Sequence, residues 1–289
     1  MDVKRYLSRI RYHGDTRPTL ENLRAIHLAH MLAVPFENLS IHCGDEIVLD
    51  LQLIYNKIVV KRRGGLCYEL NGLFSWLLKQ LGFSSKIVSA QGYRPLLEVY
   101  GREMGHCLNV VSIGGEDWVA DVGNMCLFRA PIRLTEDQEH TDVTGTYRLR
   151  LEGDMWFLQR LKRSASATKL ENACYKFKAA PGGTQGNDMA SSRQWVTKYK
   201  FTLQERELQD FGKACNWTQQ FHHVFSVQPV CVLHLADGLI TCMGRELTTA
   251  RYGIRVTMAT RRLESDDDIL KVLRDTFGVK LDKHLVIKD

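Results

Sequence analysis

The sequence lacks the marks of several large classes of protein. No stretch approaches the ~20 consecutive apolar residues that a membrane helix needs, so no membrane span is predicted. Basic residues do not cluster either, because the run from Lys61 to Arg63 is the longest, and a nucleic-acid partner is not expected. The start, Met1 to Tyr6, is charged and no apolar core follows it, so no signal peptide is predicted and a cytoplasmic protein is expected.

Paired cysteines are also missing. The eight cysteines are scattered without a C-x-x-C pair, so we predict neither a disulfide framework nor a zinc site, and we expect most thiols to be reduced. No metal cofactor is expected. Two histidines on one predicted helix, His27 and His30, have no third ligand nearby in sequence, and we interpret them as packed or hydrogen-bonded residues.

What is present is the composition of an ordinary globular protein. The chain has 289 residues, of which 44% are hydrophobic and 25% charged, and this length suits two or three compact domains. The net charge of +6 is mild and favours a small anionic ligand.

The spacing of apolar residues changes near residue 84. Before it the pattern has the helical period, with Thr19 and Asp50 as predicted N-caps and Gly82 as the end of the last helix. Residues 162–194 are polar and show no period, which predicts a linker or a functional insertion. Alternating runs predict strands at 85–91, 106–113, 117–122, 146–151, 156–161, 195–203, 224–228, 230–235 and 239–243.

One segment, Arg63–Asn71, carries the first chemical signal, and we call it the cysteine segment. Its double glycine is predicted to break the preceding helix, and Cys67 falls in the first turn of the next helix, on the apolar stripe that faces the protein. Unpaired backbone N–H groups and the positive end of the helix dipole favour a thiolate there, with Arg62 and Arg63 nearby. A lone cysteine on an apolar stripe is more often core filler, so both interpretations stay open at this point.

A histidine and an aspartate lie on neighbouring predicted strands. Gly114-Gly115 predicts a two-residue hairpin turn between the runs 106–113 and 117–122. In that register His106 and Asp121 share one face of the sheet, one diagonal step apart. An odd loop length would break this parity, and an exposed strand histidine beside an unrelated aspartate is the alternative.

Together, Cys67, His106 and Asp121 form a set of groups that suits acyl transfer. An imidazole stabilises a thiolate as an ion pair, and a carboxylate on the far ring nitrogen orients that imidazole. Backbone N–H groups at the helix start can stabilise a developing oxyanion. This set is consistent with a covalent thioester, and it does not by itself define the acyl donor or the acceptor.

The cysteine segment resembles the R-G-G-x-C-x-E-x-N motif of the arylamine N-acetyltransferases. Comparable family segments match Pro18–Leu23 (P-T-L-E-N-L), Val34–Leu39 (V-P-F-E-N-L), His106 and Asp121–Gly123 (D-V-G). These motifs occur in family order and at family-like spacing, so together they make the resemblance specific. It covers nearly the whole chain and is strongest in residues 1–125.

The resemblance implies an α+β multidomain fold. It consists of an N-terminal helical bundle at 1–83, a central antiparallel β-barrel at 84–194 with the polar insertion near 162–194, and a C-terminal α/β lid at 195–289. A cysteine-protease-like Cys-His-Asp arrangement is also implied.

By the same resemblance the reaction is a ping-pong acetyl transfer. Cys67 would be the acetyl-carrying nucleophile, His106 its base and Asp121 the orienting acid. Acetyl-CoA acylates the cysteine, CoA leaves, and an aromatic amine, a hydrazine or an N-hydroxyarylamine accepts the acetyl group, as in xenobiotic metabolism. We expect a monomer that binds neither nucleic acid nor a membrane.

The resemblance also suggests where the two substrates bind. The family has a small-residue loop for the CoA phosphates where this chain has Arg102 and Gly105, and a solvated loop charge is the alternative. The chain stops soon after Leu285–Ile287, which is expected to leave the cofactor cleft more open. The residues after D-V-G depart from the family pattern, so the preferred amine is not defined. The expected amine pocket consists of Phe36, Asn124, Cys126 and Phe128.

Two other functions are compatible with the same residues. A cysteine hydrolase or a transglutaminase-like enzyme would use the same Cys-His-Asp set. A catalytically idle relative would keep the fold and bind CoA without acylating Cys67, an alternative that the unusual stretch Asn124-Met125 motivates.

Overall fold

A computed structural model describes residues 1–94, 97–162, 193–253 and 256–287 of the chain. The predicted polar insertion near 162–194 lies outside the described residues except for its two ends, so it stays a prediction. Within the described ranges, no helix has the length and apolar character needed to cross a membrane.

The N-terminal part consists of helices that share one core, and the last of them lies at its centre. The helices are α1 Val3–Arg9, α2 Leu20–Ala33, α3 Leu39–His42, α4 Leu51–Tyr55 and α5 Cys67–Gln80, with a π-helical turn Asn56–Val60 after α4. Both predicted N-caps are confirmed, since the side chain of Thr19 accepts from the Asn22 N–H at 3.3 Å and that of Asp50 accepts from the Leu53 N–H at 2.9 Å. Apolar side chains of α5 form the centre of this core.

The double glycine before Cys67 has a different task from the predicted one. The preceding helical segment already ends at Val60, and the chain leaves it through Arg62, whose φ of 55° is left-handed. A Cβ on Gly64 would lie 2.0 Å from the Pro35 carbonyl oxygen, so glycine is required there for close packing. The prediction that the glycines break the helix is therefore wrong, because the helix ends before them and Gly64 allows two backbones to come into contact.

The second part is an antiparallel sheet that closes nearly into a barrel. In spatial order its strands are β6 Ile132–Arg133, β5 Glu116–Ala120, β4 His106–Ile113, β2 Ser84–Arg94, β10 Trp195–Arg206, β9 Met155–Leu161, β8 Gly145–Glu152 and β7 His140–Asp142, while β3 Val99–Tyr100 pairs with β2. Just past β6, the Asp137 N–H donates to the Leu149 carbonyl of β8 at 2.7 Å. The two ends of the sheet therefore approach each other around an apolar interior.

Strand β4 separates two cores. Leu108 and Val110 belong to the barrel interior, whereas Cys107 and Val111 belong to the core around α5. This division follows from the alternation of side chains along a strand. The N-terminal end of β4, where His106 lies, is therefore at the junction of the helical part and the barrel.

The hairpin register is the predicted one. Ile113 pairs with Glu116 across Gly114-Gly115, whose φ values of 60° and 81° suit a two-residue turn. This register keeps His106 and Asp121 on one face of the sheet.

The third part is a second antiparallel sheet with helices packed against it. Its strands are, in order, β1 Phe36–Glu37, β11 Val230–Leu235, β12 Gly238–Met243, β13 Glu246–Arg251 and β14 Thr257–Arg262. Two helices follow the barrel, α6 Gly212–Phe221 and α7 Asp266–Phe277, and a 3-10 turn, Leu208–Phe211, precedes α6. Apolar residues of α7 such as Leu273 and Phe277 pack with Leu233 of β11 in a separate core.

Some expectations about this part require correction. Strand β10 pairs with β2 and β9, so it belongs to the barrel sheet although the predicted third domain began at 195. Residues 224–228 form turns instead of a strand, because the His222 ring accepts from the N–H groups of Val224 and Phe225 at 3.3 and 3.1 Å. Strands β13 and β14 were not predicted.

Candidate active site

Cys67 is the first residue of α5, at the junction of the helical part and the barrel. The N–H groups of a first helical turn have no partner within the helix, and the helix dipole adds positive potential. The Leu66 N–H just before the helix is occupied by the Glu69 carboxylate at 2.9 Å, as in a capping box. Cys67 is 9% exposed, so its thiol lies in largely dry surroundings without being sealed from solvent.

His106 links Cys67 to Asp121. Its Nε2–H donates to Asp121 Oδ2 at 2.8 Å, and the Cys67 side chain interacts with the ring and helps to raise the pKa of His106. Because the carboxylate occupies Nε2, Nδ1 is the nitrogen left for the sulfur. The structure thus brings together the three residues that the sequence pattern singled out.

The ionisation of this pair is set by burial and by mutual attraction. Burial lowers the pKa of His106, but Asp121 and Cys67 outweigh it, so that pKa lies well above its ordinary value. Burial raises the pKa of Asp121, yet His106 and the Asn71 amide bring the net pKa below its usual range. At neutral pH the site therefore places an imidazolium between a carboxylate and a sulfur.

Asn71 is a site residue that the sequence reasoning did not assign. Its Nδ2 donates to Asp121 Oδ1 at 2.9 Å and to the Cys107 carbonyl at 2.7 Å, and its Oδ1 accepts from the Val122 N–H at 3.0 Å. One side chain of α5 thereby holds the carboxylate, β4 and the loop after β5 together. Its place as the last residue of the cysteine segment, one turn of helix after Cys67, was the available signal.

Gly123 brings the loop after β5 into contact with the nucleophile. A Cβ on this glycine would lie 2.8 Å from the Cys67 Cα and 2.5 Å from the Asn71 amide nitrogen. Its N–H donates to Asp121 Oδ1 at 3.1 Å. The D-V-G segment therefore needs glycine here for close approach to Cys67.

Two ion pairs brace the cysteine segment from behind. Arg63 donates through Nε and Nη2 to the two Glu37 oxygens at 2.8 and 3.1 Å, with side chains 8% and 0% exposed. Lys57 donates to Glu69 at 2.8 Å, with side chains 15% and 2% exposed. Arg63 was expected to add positive charge near the thiol, but Glu37 balances its charge directly.

The predicted cofactor residues lie in the loop before β4. Arg102 is exposed, and its guanidinium carbon lies 4.8 Å from the centroid of the Trp217 ring on α6. The Gly105 N–H donates to the Arg102 carbonyl at 3.1 Å, and the Met104 carbonyl accepts from the Tyr68 hydroxyl at 3.1 Å. The loop is thus anchored beside Cys67, and its role toward CoA stays a prediction.

Two of the predicted pocket residues make structural contacts. The ring of Phe36 lies 5.4 Å from that of Phe225. The Asn124 Nδ2 donates to the Asp121 and Phe128 carbonyls, and its Oδ1 accepts from the Leu127 N–H at 2.8 Å. The Asn124 amide is therefore occupied by the loop backbone.

The other two predicted pocket residues are fully buried. Cys126 and Phe128 are each 1% exposed. Cys126 packs in the core around α5, and Phe128 packs inside the barrel against the rings of His27 and Tyr147. A role for Phe36, Asn124, Cys126 and Phe128 in amine binding stays a prediction.

Metal-ligating side chains do not gather in the described parts of the chain. No group of three or more His, Cys, Asp or Glu residues is placed there to hold an ion. None of the cysteines that the structure describes forms a disulfide.

Comparison with known sequences identifies relatives along the whole length. Residues 19–286 match a family model described as N-acetyltransferase. A pineal gland arylamine N-acetyltransferase of Gallus gallus, isozyme NAT-3, is 34% identical over 293 residues, covering 99% of this chain and 97% of the relative. Arylamine N-acetyltransferase 2 of Mus musculus is 30% identical, covering 100% of this chain and 97% of the relative.

Solved structures agree with these sequence relatives. The arylamine N-acetyltransferase of Salmonella typhimurium superposes with a TM-score of 0.82 at 27% identity, covering 98% of this chain and 94% of that one. The Mycobacterium marinum arylamine N-acetyltransferase, solved in complex with CoA, gives a TM-score of 0.78 at 26% identity, covering 96% and 93%. The chain therefore belongs to the arylamine N-acetyltransferase family of transferases.

Proposed function

We propose that this enzyme transfers acetyl groups from acetyl-CoA to arylamines and hydrazines, and to the oxygen of N-hydroxyarylamines, through an acetyl thioester on Cys67. The observation that carries the proposal is the position of the His106 ring, which donates to Asp121 at 2.8 Å and whose pKa the neighbouring Cys67 side chain helps to raise. The CoA complex of the M. marinum relative supports acetyl-CoA as the donor.

The first half-reaction begins with attack of the Cys67 thiolate on the acetyl carbonyl carbon. A carbon–sulfur bond forms at Cys67 and the bond to the CoA sulfur breaks, with N–H groups at the start of α5 available to the oxyanion. The leaving CoA thiolate takes the proton from the His106 imidazolium. His106 is then neutral and can act as a base.

The second half-reaction reverses these proton movements. The acceptor amine attacks the thioester while neutral His106 takes its proton, and Cys67 leaves as a thiolate beside the restored imidazolium. Asp121 keeps Nε2 protonated throughout, so Nδ1 faces the reacting atoms. Neither half-reaction needs a metal.

The domain proposal is revised in one respect. We keep a helical unit at 1–83 and a barrel unit from 84, but the barrel unit includes β10, so the α/β lid begins near Leu208. A cytoplasmic monomer that meets small acceptors of the xenobiotic type is the setting we propose.

Mass spectrometry of the intact protein after mixing with acetyl-CoA tests the proposal. The expected result is one acetyl group on Cys67, which disappears when an arylamine is added and is absent from Cys67→Ala. Lack of the adduct, or an acetyl-CoA mixture without a burst of free CoA, contradicts the proposal. Release of acetate as fast without an amine as with one would indicate a hydrolase.

A serine variant tests the requirement for sulfur. Cys67→Ser is expected to lose about five orders of magnitude in amine acetylation, since a hydroxyl is far less ionised than a thiol. The measurement is acetylated amine formed per folded enzyme. Near-wild-type turnover in this variant would rule out a thioester on Cys67.

A further inference from the structure

We propose that His27 is a positioning residue of the transfer reaction, which holds the backbone of Asp121 from behind through a neutral imidazole protonated on Nδ1. The residue lies on α2, outside the Cys67–His106–Asp121 set. The inference rests on the proposed function for its catalytic meaning, although the contacts that carry it are independent of any substrate.

The hydrogen bonds of His27 define its tautomer. The Asp121 N–H donates to His27 Nε2 at 3.1 Å, so Nε2 accepts and carries no proton. The other ring nitrogen, Nδ1, lies 3.1 Å from the Arg129 carbonyl oxygen, which can only accept. Nδ1 therefore carries the proton, and one ring joins two backbone groups of opposite polarity.

The surroundings of His27 keep the ring in this state. The residue is fully buried, with the ring of Phe128 stacked 6.3 Å away and that of Phe74 edge-on at 5.9 Å. Burial lowers the pKa of His27 to about 4, against the opposing effects of its hydrogen bonds and of Asp121 and Asp142. The other ionisable groups that interact with it are His30 and His234.

His27 matters for the site because Asp121 lies beyond the end of its strand. The pairing between β4 and β5 ends where Asn109 meets Ala120, one residue before Asp121. The Asp121 carboxylate is held by Asn71 and Gly123, but its own N–H is held by His27. Without this ring, the buried Asp121 N–H would lose its hydrogen-bond partner. The backbone that carries the carboxylate would then no longer be held in place.

Two variants of His27 and a matched control separate positioning from packing. His27→Leu removes both hydrogen bonds, whereas His27→Gln offers an amide oxygen and an amide N–H at a similar spacing. His30→Leu is the control, because His30 is equally buried on the same helix and contacts Phe74, but its hydrogen bond goes to the Tyr6 hydroxyl at 2.8 Å.

The first readout is the rate of Cys67 alkylation by iodoacetamide at neutral pH, normalised to folded protein, because it requires no acetyl-CoA. We expect His27→Leu to slow alkylation about ten- to a hundred-fold, since small misplacements in a site have effects of that size. His27→Gln and His30→Leu are expected to stay within about threefold of wild type. Equal rates in His27→Leu and His30→Leu would overturn the proposal.

The second readout is the ring NMR spectrum of ¹⁵N-histidine-labelled protein. In His27→Leu the pKa of His106 is expected to fall, which a loss of packing alone would not cause. In wild-type protein the His27 ring is expected to show the Nδ1–H tautomer without titrating from about pH 5 to pH 9. An Nε2–H tautomer or a titration in that range would refute the proposal even if His27→Leu did not fold.

These readouts stay informative if the proposed function fails. A protein that is never acetylated by acetyl-CoA would still show whether His27 controls the reactivity of Cys67 and the pKa of His106. Failure of the acetylation test together with positive His27 results would reject the substrate and keep the positioning role.

Discussion

Two sets of charged groups surround the cysteine segment and differ in how completely they are paired. Behind the segment, Arg63 is paired with the buried Glu37 and Glu69 with the half-buried Lys57, each at 2.8 Å. Beside Cys67, His106 is 15% exposed and lies between Asp121 and a sulfur whose residue is 9% exposed.

This difference separates structural from reactive charge within one motif. The Arg63–Glu37 pair uses all its strong acceptors on protein donors, including the Gly64 and Leu39 N–H groups, so nothing is left for a ligand. The His106–Asp121 pair lies beside the Cys67 sulfur, and that sulfur remains able to form a bond to carbon. A motif read as a single catalytic signature therefore consists of a brace and a reactive site.

The largest expected effect is on the rate of acetyl transfer. Asp121→Asn removes the main attraction that raises the pKa of His106 and allows the wrong tautomer, so acetyl transfer should fall about 10³- to 10⁴-fold. Single-turnover acylation by acetyl-CoA measures this loss, with the melting temperature as a check on folding. A loss below about tenfold would mean that Asp121 belongs to the brace.

The next largest effect is on stability, because the variant breaks the Arg63–Glu37 ion pair and leaves the reactive groups unchanged. Glu37→Gln leaves Arg63 buried beside a neutral group, which should cost about 3–5 kcal/mol of unfolding free energy in guanidinium titrations. The acylation rate per folded molecule should stay near that of wild type. Glu139→Gln, which breaks the exposed pair with Arg193, is the control and should cost at most about 1 kcal/mol. Equal costs would contradict the buried brace.

A smaller effect distinguishes the two pairs by pH. The pKa of Asp121 is lowered, so its contribution is present above its ordinary value and is lost as pH falls through the folded value. The pKa of His106 is raised, so its contribution is complete below its ordinary value and is lost as pH rises through the folded value. The unfolding free energy lost in Asp121→Asn should therefore peak between about pH 4 and pH 6.5 and decline on both sides.

The contribution of the Arg63–Glu37 pair to the unfolding free energy should decline only at acidic pH. The pKa of Glu37 is lowered, because Lys57 and Arg63 outweigh the burial that raises it, and Arg63 stays charged at high pH. The cost of Glu37→Gln should thus decline in acid and remain constant in alkali. Guanidinium titrations across the same pH range provide the measurement, and an alkaline decline for Glu37→Gln would contradict the contrast.

The smallest expected effect concerns the exposed rim of the site. Arg102→Ala removes one exposed cation beside Trp217, and should raise the KM for acetyl-CoA about two- to fivefold, as expected for a contact worth up to about 1 kcal/mol. Arg262→Ala, on β14 at an exposed position, is the control. Acylation by p-nitrophenyl acetate, which lacks the nucleotide, should not change. An equal KM increase in both variants would indicate a general charge effect.

The reactive side was predictable because its geometry is local. A two-residue turn fixes which residues of a hairpin share a face, and this places His106 with Asp121 from sequence alone. The helical period places Cys67 at the start of α5 in the same way. Both inferences depend on contacts within one hairpin or one helix turn.

The Arg63–Glu37 pair and the His27–Asp121 contact were not predictable because the partners are distant in sequence. Arg63 meets Glu37 across 26 positions, and His27 meets Asp121 across 94 positions. The close approach of Gly64 to Pro35 is likewise tertiary, so the glycines were misinterpreted as helix breakers. Strand β14 has mostly exposed residues without alternation, and only its pairing with β13 defines it.

Strand β1 has a consequence for the order of events during synthesis. It lies next to α3 in sequence, yet it pairs with β11, and the Asn38 side chain accepts from the Val230 N–H across 192 positions. A ribosome that adds ~5–20 residues per second leaves β1 and Asn38 without these partners for about 10 to 40 s. Cys67, His106 and Asp121 are all synthesised within that interval. The nascent chain therefore carries its reactive thiol before the sheet that contains β1 and β11 can form.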